Sequence, residues 1–326
     1  MRKALITGIA GFAGGHLAWD LVEAGWEVVG VERHGAVFDH PVFLLERVRV
    51  EECDILAARE LGRVIGKFQP EAIFHLAGTT HIPMAQSDPQ LAFETNIKGS
   101  LNVLDAATEN SPRARMVLIS SAEVYGKARP EEMPLTEDRP LRPASIYGLT
   151  KLCAEETASY YSRVRGLDAV ILRPFNHIGP GQRPRFVSAA FALQIARIEK
   201  GLQPPVLEVG NLEPARDFTD VRDMVRGYRL AVDRCESGVA YNVCSGRAYA
   251  IREILERLLE LSACHIEVRP SEGRIRKTDV PIFHGDHSRF SAAAGWRPEY
   301  DIDRTLETIL DYWRERVKLA PEKTPE

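Results

Sequence analysis

The chain has 326 residues, of which 44% are hydrophobic and 27% charged, and its net charge is −4 at pH 7. This length can bury one large core or two smaller ones without disulfide or metal staples. The acidic balance argues against nucleic acid or an anionic membrane as the main partner. Five scattered cysteines, none in a CxxC pair, favour a reducing compartment over a disulfide framework or a zinc site.

The N-terminal half alternates short apolar runs with longer amphipathic segments. The runs are KALIT, EVVGV, AIFHLAG, RMVLISS and DAVILRP. Apolar strands separated by helices predict a parallel sheet that is covered on both faces. We therefore predict an α/β fold, a Rossmann-type doubly wound parallel sheet with a smaller C-terminal α/β substrate domain. The dinucleotide-binding domain would span residues 1–172, with a return excursion near 217–244, and residues 173–326 would form mainly the substrate domain.

The first run begins at once, so we expect no signal peptide. No apolar stretch reaches the roughly 20 residues that a membrane span requires. Both observations favour the cytoplasm.

A glycine-rich turn, TGIAGFAGGH, follows the first predicted strand and opens the first predicted helix. Gly8, Gly11 and Gly14 are spaced three apart, and their missing side chains would let the backbone approach a pyrophosphate at the helix N-terminus. The spacing fits the GxGxxG fingerprint only loosely, and such a turn can be purely structural. Its position favours a dinucleotide-binding loop, which would include Phe12 and Ala13.

The second predicted strand, VVGVE, ends in Glu32, where an acid commonly binds the adenosine ribose hydroxyls. A carboxylate repels a 2′-phosphate and favours NAD(H), but Arg33 follows and could receive that phosphate, so NADP(H) stays open. Glu32 could also be a solvated strand end. Further positions bordering the cofactor follow from the strand pattern: Asp54, Ile55, Leu76, Ala77 and Gly78.

Tyr147 and Lys151 in YGLTK lie four residues apart on a predicted helix and therefore on one face. A free tyrosine has a pKa of about 10 and exchanges protons poorly at neutral pH. A nearby ammonium, aided by an oxidised nicotinamide, would lower that pKa. A YxxxK pattern also arises by chance as a surface pair, but the glycine loop and the upstream SSAEVYG favour a catalytic pair.

Taken in order, the glycine loop, the LAG turn, the two serines after a strand and YxxxK resemble the extended short-chain dehydrogenase/reductases over nearly the whole chain. The resemblance implies that Tyr147 is the acid/base and that Lys151 positions it and binds the nicotinamide ribose. It implies that Ser121 bonds the reacting oxygen, that Asn96 holds a water or the helix geometry, and that His177 contacts the cofactor. It also implies a homodimer through a four-helix bundle that includes the YGLTK helix.

Three motifs in the second half, FNHIGPGQ, VGNLEPARDFTDVRD and RIRKTDVP, resemble those of GDP-sugar enzymes. The GDP-4-keto-6-deoxy-mannose reductases are the nearest in pattern, followed by the GDP-mannose 4,6-dehydratases. A nucleotide-diphosphate sugar is the implied substrate, since arginines offer planar donors to phosphate, although an arginine near an acidic loop can also be a surface ion pair. The implied substrate positions are Thr80, Ser121, Glu123, Asn176, Val187, Arg216, Arg276 and Asp279.

The segment SSAEVYG bears on the reaction type. A dehydratase needs an acid and a base beyond the tyrosine, and by resemblance it carries threonine and one or two carboxylates where this chain has Ser121, Ala122 and Glu123. The alanine, the serine and the absence of an Arg-Ser-rich segment after Glu32 favour a C4-ketone reductase, with Glu123 orienting sugar hydroxyls. A dehydratase, a 4-epimerase and a non-enzymatic dinucleotide sensor remain alternatives.

The pair His284 and His287 in FHGDH suggests a metal site at first sight. It lacks a third convergent ligand in the sequence, so we expect no metal.

Overall fold

The computed structural model describes residues 1–37, 46–271 and 280–319. Within them, seven strands form one wholly parallel sheet: β1 (Lys3–Thr7), β2 (Glu27–Glu32), β3 (Arg49–Glu52), β4 (Ala72–His75), β5 (Arg115–Ile119), β6 (Ala169–Pro174) and β10 (Ala240–Val243). Their order is β3-β2-β1-β4-β5-β6-β10. The order reverses between β1 and β4, which opens a crevice at their carboxyl ends. The predicted Rossmann-type sheet is confirmed.

Helices cover both faces of this sheet. On one face lie α1 (Phe12–Glu23), α8 (Val221–Arg234) and α10 (Ser288–Ala294), packed on a core that includes Leu17, Val117 and Phe290. On the other lie α2 (Ala58–Phe68), α5 (Gly99–Asn110) and α6 (Ile146–Arg165), with Ile65, Leu104 and Ala158 in the core. Each fully buried large apolar side chain contributes about 1.5–3 kcal/mol relative to an exposed one.

The region between β4 and α5 is not one continuous helix. It consists of α3 (Ile82–Ser87), α4 (Pro89–Phe93) and a π-helical turn over Glu94–Lys98 that continues into α5. Asp88 ends α3 and caps α4, because its side chain accepts a hydrogen bond from Leu91 N at 3.0 Å. The π turn turns Asn96 into the interior, where 2% of its surface remains exposed.

The remaining strands lie in the C-terminal part. β9 (Ala215–Asp220) pairs with β7 (Asn176–Ile178), β11 (Ala248–Ala250) and β13 (Ile282–Phe283), and β8 (Val206–Val209) pairs with β12 (Glu267–Pro270). Three helices enclose a further core: α7 (Val187–Glu199), α9 (Ile251–Glu260) and α11 (Ile302–Leu319). Between these elements α8 and β10 return to the parallel sheet. The domain limit at residue 172 stays a prediction. None of the described helices is long and apolar enough to cross a membrane.

Candidate active site

The glycine loop after β1 leaves no room for side chains at Gly8 and Gly14. Gly8 has φ +75°, and a Cβ there would lie 2.7 Å from Ala77 N, so the LAG turn lies directly against the loop. A Cβ at Gly14 would lie 2.3 Å from Gly8 O, so α1 packs tightly on the turn. Gly11 is exposed, and a Cβ there would meet only Gly8 O, at 3.1 Å. Each glycine therefore fits its place in a dinucleotide-binding turn.

The N-terminus of α1 suits an anion. Its N-cap is Gly11, which has no side chain to cap the helix, and backbone N–H groups of a first helical turn are suited to bind a phosphate. Glu32, half-buried at the carboxyl end of β2, accepts a hydrogen bond from Ala10 N at 3.0 Å. Arg33 beside it is exposed. The loop and its neighbours therefore fit a dinucleotide, with both a carboxylate and a guanidinium near the adenosine end.

The further cofactor positions lie at the same edge of the sheet. Asp54 follows β3 and is exposed, and its side chain accepts a hydrogen bond from Leu56 N at 2.8 Å. Ile55 is buried against α5, where a Cβ at Gly99 would lie 2.5 Å from its Cδ1. Leu76 is half-buried. The structure places these positions after the carboxyl ends of β3 and β4, and their contact with a cofactor stays a prediction.

Asn96 joins three elements beneath the LAG turn. Its Oδ1 accepts from Thr79 N at 2.7 Å, and its Nδ2 donates to Thr79 O at 3.1 Å and to Thr150 Oγ1 at 2.8 Å. A Cβ at Gly78 would lie 2.8 Å from Asn96 Oδ1 and 4.0 Å from Lys151 Nζ. The amide thus holds the turn after β4 beside α6, in line with a role in helix geometry.

Lys151 and Ser121 lie where β5 ends. Lys151 Nζ donates to Ile119 O at 2.7 Å, and burial lowers the pKa of this lysine to about 8. Ser121 Oγ accepts from Glu123 N at 3.2 Å and caps the 3₁₀ turn Ala122–Tyr125. A Cβ at Gly148 would lie 2.6 Å from Glu123 O, so α6 packs directly on this turn.

The structure places Tyr147 beside these groups but corrects its predicted acidity. The side chain is 9% exposed and packs with Ala85 of α3 and Ala92 of α4. This burial is the main reason that the pKa of Tyr147 rises to about 12, and the Glu123 carboxylate raises it further, while the Ser121 hydroxyl lowers it. The prediction of a lowered pKa is therefore wrong for the protein alone. At neutral pH the phenol holds its proton.

His177 connects the glycine loop to the C-terminal part. Its ring stacks on that of Phe12 in α1, with centroids 5.8 Å apart and an interplanar angle of 2°. Burial lowers the pKa of His177, so the ring is neutral at neutral pH. His16 of α1 bonds Pro180 O through Nε2 at 2.8 Å. The loop that follows β7 is thereby attached to the start of α1.

The predicted substrate residues are spread over several elements. Thr80 is exposed after the LAG turn, Asn176 is exposed on β7, and Val187 is the first residue of α7. Arg276 and Asp279 lie outside the described residues.

Arg216 is half-buried on β9. Its Nη1 donates to Ala215 O at 2.9 Å and to Val280 O at 2.8 Å. These bonds hold the guanidinium against the chain that enters β13. A bidentate role toward phosphate stays a prediction.

A buried ion pair beneath the serines was missed by the sequence analysis. Arg173 of β6 and Glu155 of α6 pair with 6% and 4% of their side chains exposed. One signal existed, because Glu155 lies four residues after Lys151 and eight after Tyr147 and so shares their helix face.

His287 of the FHGDH segment is the residue that precedes α10. His287 Nδ1 hydrogen-bonds with Ser291 Oγ at 2.7 Å. Across the described ranges, no group of three or more His, Cys, Asp or Glu side chains could hold a metal ion.

Comparison with known proteins agrees with this geometry. A family model described as GDP-mannose 4,6 dehydratase matches residues 5–309. GDP-6-deoxy-D-mannose reductase from Pseudomonas aeruginosa is 34% identical, over 97% of this chain and 99% of that protein. GDP-mannose 4,6-dehydratase from Yersinia enterocolitica is 27% identical, over 95% and 93%. The structure of RMD from P. aeruginosa complexed with NADPH superposes with a TM-score of 0.86 at 34% identity, over 97% and 100%. The resemblance predicted from the motifs is confirmed.

Proposed function

Because the chain belongs to the GDP-mannose 4,6-dehydratase family of extended short-chain dehydrogenase/reductases, we propose that it reduces the C4 ketone of a GDP-4-keto-6-deoxy-hexose with NADH or NADPH. The product would be a GDP-6-deoxy-hexose of the mannose or rhamnose type. The relative with 34% identity over nearly the whole of both chains is named a GDP-6-deoxy-D-mannose reductase, which supports this substrate class.

The cofactor would lie along the carboxyl edge of the parallel sheet. The turn from Gly8 to Gly14 would hold the pyrophosphate, Glu32 or Arg33 the adenosine ribose, and Lys151 the nicotinamide ribose. When bound, the nicotinamide supplies the hydride. Residues 1–172 would form this half of the site and residues 173–326 mainly the sugar-nucleotide half. The P. aeruginosa structure is complexed with NADPH, which supports a nicotinamide dinucleotide here.

The similarity to GDP-6-deoxy-D-mannose reductase over nearly the whole of both chains is the observation that carries the reductase assignment, and Tyr147 would supply the proton that this reaction needs. Reduction of a ketone needs a proton donor at the nascent alkoxide, and a phenol with a pKa of about 12 keeps its proton at neutral pH. Ser121, beside the phenol, would hydrogen-bond the same oxygen. An enzyme that begins by oxidising a C4 hydroxyl needs the phenolate instead. A reduced nicotinamide carries no positive charge to favour that phenolate.

Glu123 supports a second candidate, a GDP-mannose 4,6-dehydratase. It is half-buried, and its carboxylate lies near enough to raise the pKa of Tyr147, so it could take part in proton transfer at the sugar. Ala122, however, occupies the neighbouring position and carries no ionisable group. A reductase needs no second acid or base, so in the proposed reaction Glu123 would orient sugar hydroxyls.

Two incubations separate these candidates. Purified protein with GDP-4-keto-6-deoxy-mannose should consume NADH or NADPH, followed by absorbance, and should form a GDP-6-deoxy-hexose identified by mass and NMR. Protein with GDP-mannose and no added reduced cofactor should form nothing. Appearance of the 4-keto-6-deoxy sugar in the second incubation would replace the reductase with the dehydratase.

A homodimer is the expected assembly. The adjacent helices α5 and α6 carry several exposed apolar side chains: Leu101, Leu149, Tyr160 and Val164. Exposed apolar surface on two neighbouring helices is typical of an interface, and it suits a bundle of two helices from each subunit.

A further inference from the structure

The serine segment, residues 120–125, carries Ser121 and Glu123 between β5 and the turn at Gly126. Both of its ends reach the same buried ion pair. At its start, Ser120 Oγ donates to Glu155 Oε2 at 2.8 Å. At its end, the hydroxyl of Tyr125 accepts from Arg173 Nη1 at 3.0 Å. The segment is therefore fastened at two points that flank its functional side chains.

The two side chains of the ion pair are joined by several hydrogen bonds. Arg173 Nε donates to both oxygens of Glu155, at 3.1 and 3.2 Å, and Nη2 donates to Oε1 as well. Removing two charges from water is costly, and a buried pair is weak support for stability alone, because an apolar pair of the same volume often serves as well. A fixed geometry is the better-attested use of such a pair.

The positions of the two partners tie the segment to the proposed acid. Glu155 lies on α6, two helical turns after Tyr147 and on its face. Arg173 lies on β6, which pairs with β5, the strand that leads into the segment. The pair thus links one helix and two strands behind Ser121.

Two further bonds connect Tyr125 to β10 and, through it, to Leu135. The Tyr125 hydroxyl donates to Asn242 Oδ1 at 2.7 Å, and Asn242 Nδ2 donates to Leu135 O at 2.9 Å. Tyr125 and Asn242 are 0% exposed, so no water competes for these groups. The hydroxyl of Tyr125 is both donor and acceptor, and a phenylalanine would lose both bonds while keeping the packing.

We propose that the Glu155–Arg173 pair is a positioning device that sets Ser121 and Glu123 opposite Tyr147 by holding Ser120 and Tyr125. This role rests on the proposed ketone reduction. Neither Glu155 nor Arg173 touches the reacting atoms. They act through the segment, so their loss displaces the groups that face the sugar.

The test uses two single variants and their double. Ser120→Ala and Tyr125→Phe should each lower kcat for ketone reduction about tenfold, since a displacement of 1 Å costs on the order of 100-fold. The dissociation constant for NADPH should not change. The double variant should be no slower than the slower single variant, because either loss releases the same segment. If the losses of kcat in the two single variants multiplied in the double variant, the two bonds would act independently, and the shared positioning role would be overturned.

Two matched controls remove comparable hydroxyls far from the segment. Ser111→Ala loses a bond to Pro70 O, and Tyr161→Phe loses a bond to Asp105 Oδ1. Ser111 and Tyr161 are also buried, at 4% and 5% exposed, against 2% for Ser120 and 0% for Tyr125. The controls should lose about as much thermal stability as the test variants but keep kcat within about twofold of the wild type. A loss of kcat in the controls equal to that in the test variants would contradict a positioning role.

Amide hydrogen exchange measures how rigidly the serine segment is held, without an activity assay. Amides of residues 122–126 should exchange at least about tenfold faster in Ser120→Ala and Tyr125→Phe than in the wild type, and not in the controls. Unchanged exchange in both test variants overturns the proposal. Should the wild type fail to reduce any 4-keto sugar nucleotide, the proposed function falls, and the exchange data still decide whether the pair holds the segment.

Discussion

Lys151 donates its hydrogen bond to the main-chain oxygen of Ile119, at 2.7 Å, and this bond joins α6 to the last residue of β5. Ile119 directly precedes the serine segment. The ammonium is thereby fixed at the carboxyl edge of the sheet, where a nicotinamide ribose would lie. Its buried charge makes the lysine, and not the tyrosine, the group that titrates near neutral pH.

Tyr147→Phe should lower kcat for ketone reduction by about 10²–10⁴-fold, because it removes the only atom of the side chain that can give a proton. NADPH binding, measured by fluorescence, should persist. Tyr161→Phe is the matched control on the same helix, since its hydroxyl bonds Asp105 away from the proposed site. A Tyr147→Phe enzyme with near wild-type kcat would rule out the phenol as the acid.

The rate should fall on the alkaline side as Lys151 loses its proton. The pKa of this lysine is about 8, so kcat/KM should decline above that pH. A neutral amine no longer stabilises the phenolate that forms when Tyr147 donates its proton. In Lys151→Met the rate should be lower and flat between about pH 7 and 9. A declining limb that survives in this variant would assign the titration to another group.

Lys151 should also make the unfolding free energy depend on pH. Its pKa is lowered on folding, from 10.5 to about 8, so between these values the unfolded chain binds the proton and the folded chain does not. Stability therefore rises with pH across this window. The unfolding free energy of the wild type minus that of Lys151→Met, from urea titrations, should increase as the pH rises from about 8 to 10.5.

Gly14→Ala should lower the unfolding free energy by roughly 1–3 kcal/mol, because its Cβ would lie 2.3 Å from Gly8 O and the turn must move. A saturating dinucleotide should no longer raise its melting temperature, although it stabilises the wild type by about 2.7 kcal/mol at 100 times Kd. Gly66→Ala on α2 is the control, since its Cβ meets only ordinary contacts from 3.5 Å. It should be at least as stable as the wild type. Retained binding in Gly14→Ala would place the dinucleotide elsewhere.

Glu123→Gln distinguishes the two candidate reactions. If Glu123 only orients the sugar, kcat for ketone reduction should stay within about tenfold of the wild type. If it transfers a proton in a dehydration, the loss should reach about 10²–10⁴-fold. Steady-state kinetics with the keto sugar nucleotide measures the reduction and kinetics with GDP-mannose measures the dehydration, with the exposed Glu131→Gln as the control in both.

Val164→Glu should convert the proposed homodimer to a monomer. Val164 is 61% exposed on α6, and a charge buried there in a helix bundle would lack a partner. Light scattering after size exclusion should give half the wild-type mass. Val37→Glu, at a residue that is 71% exposed outside these helices, should leave the mass unchanged. A wild-type monomer would contradict the assembly itself.

Much of the fold could be predicted from local patterns. The glycines before α1, the apolar runs and the Tyr–Lys spacing on α6 each express a constraint between near neighbours in the chain, and each was found where expected. The helix around Asn96 was less regular than its sequence suggests, because Pro89 and the cap at Asp88 interrupt it. Helix periodicity places Glu155 on the face of Lys151, but its partner Arg173 lies on a different element, and no periodicity marks that contact.

The sequence by itself determined the parallel sheet, the glycine turn and the set of side chains available for catalysis, because backbone geometry and helix periodicity depend on residues close in the chain. Only the tertiary structure decided their electrostatics. Burial against α3 and α4 keeps the Tyr147 proton in place, and the end of β5 holds the Lys151 charge. Both effects depend on which distant segments exclude water from these groups, which the order of residues does not state.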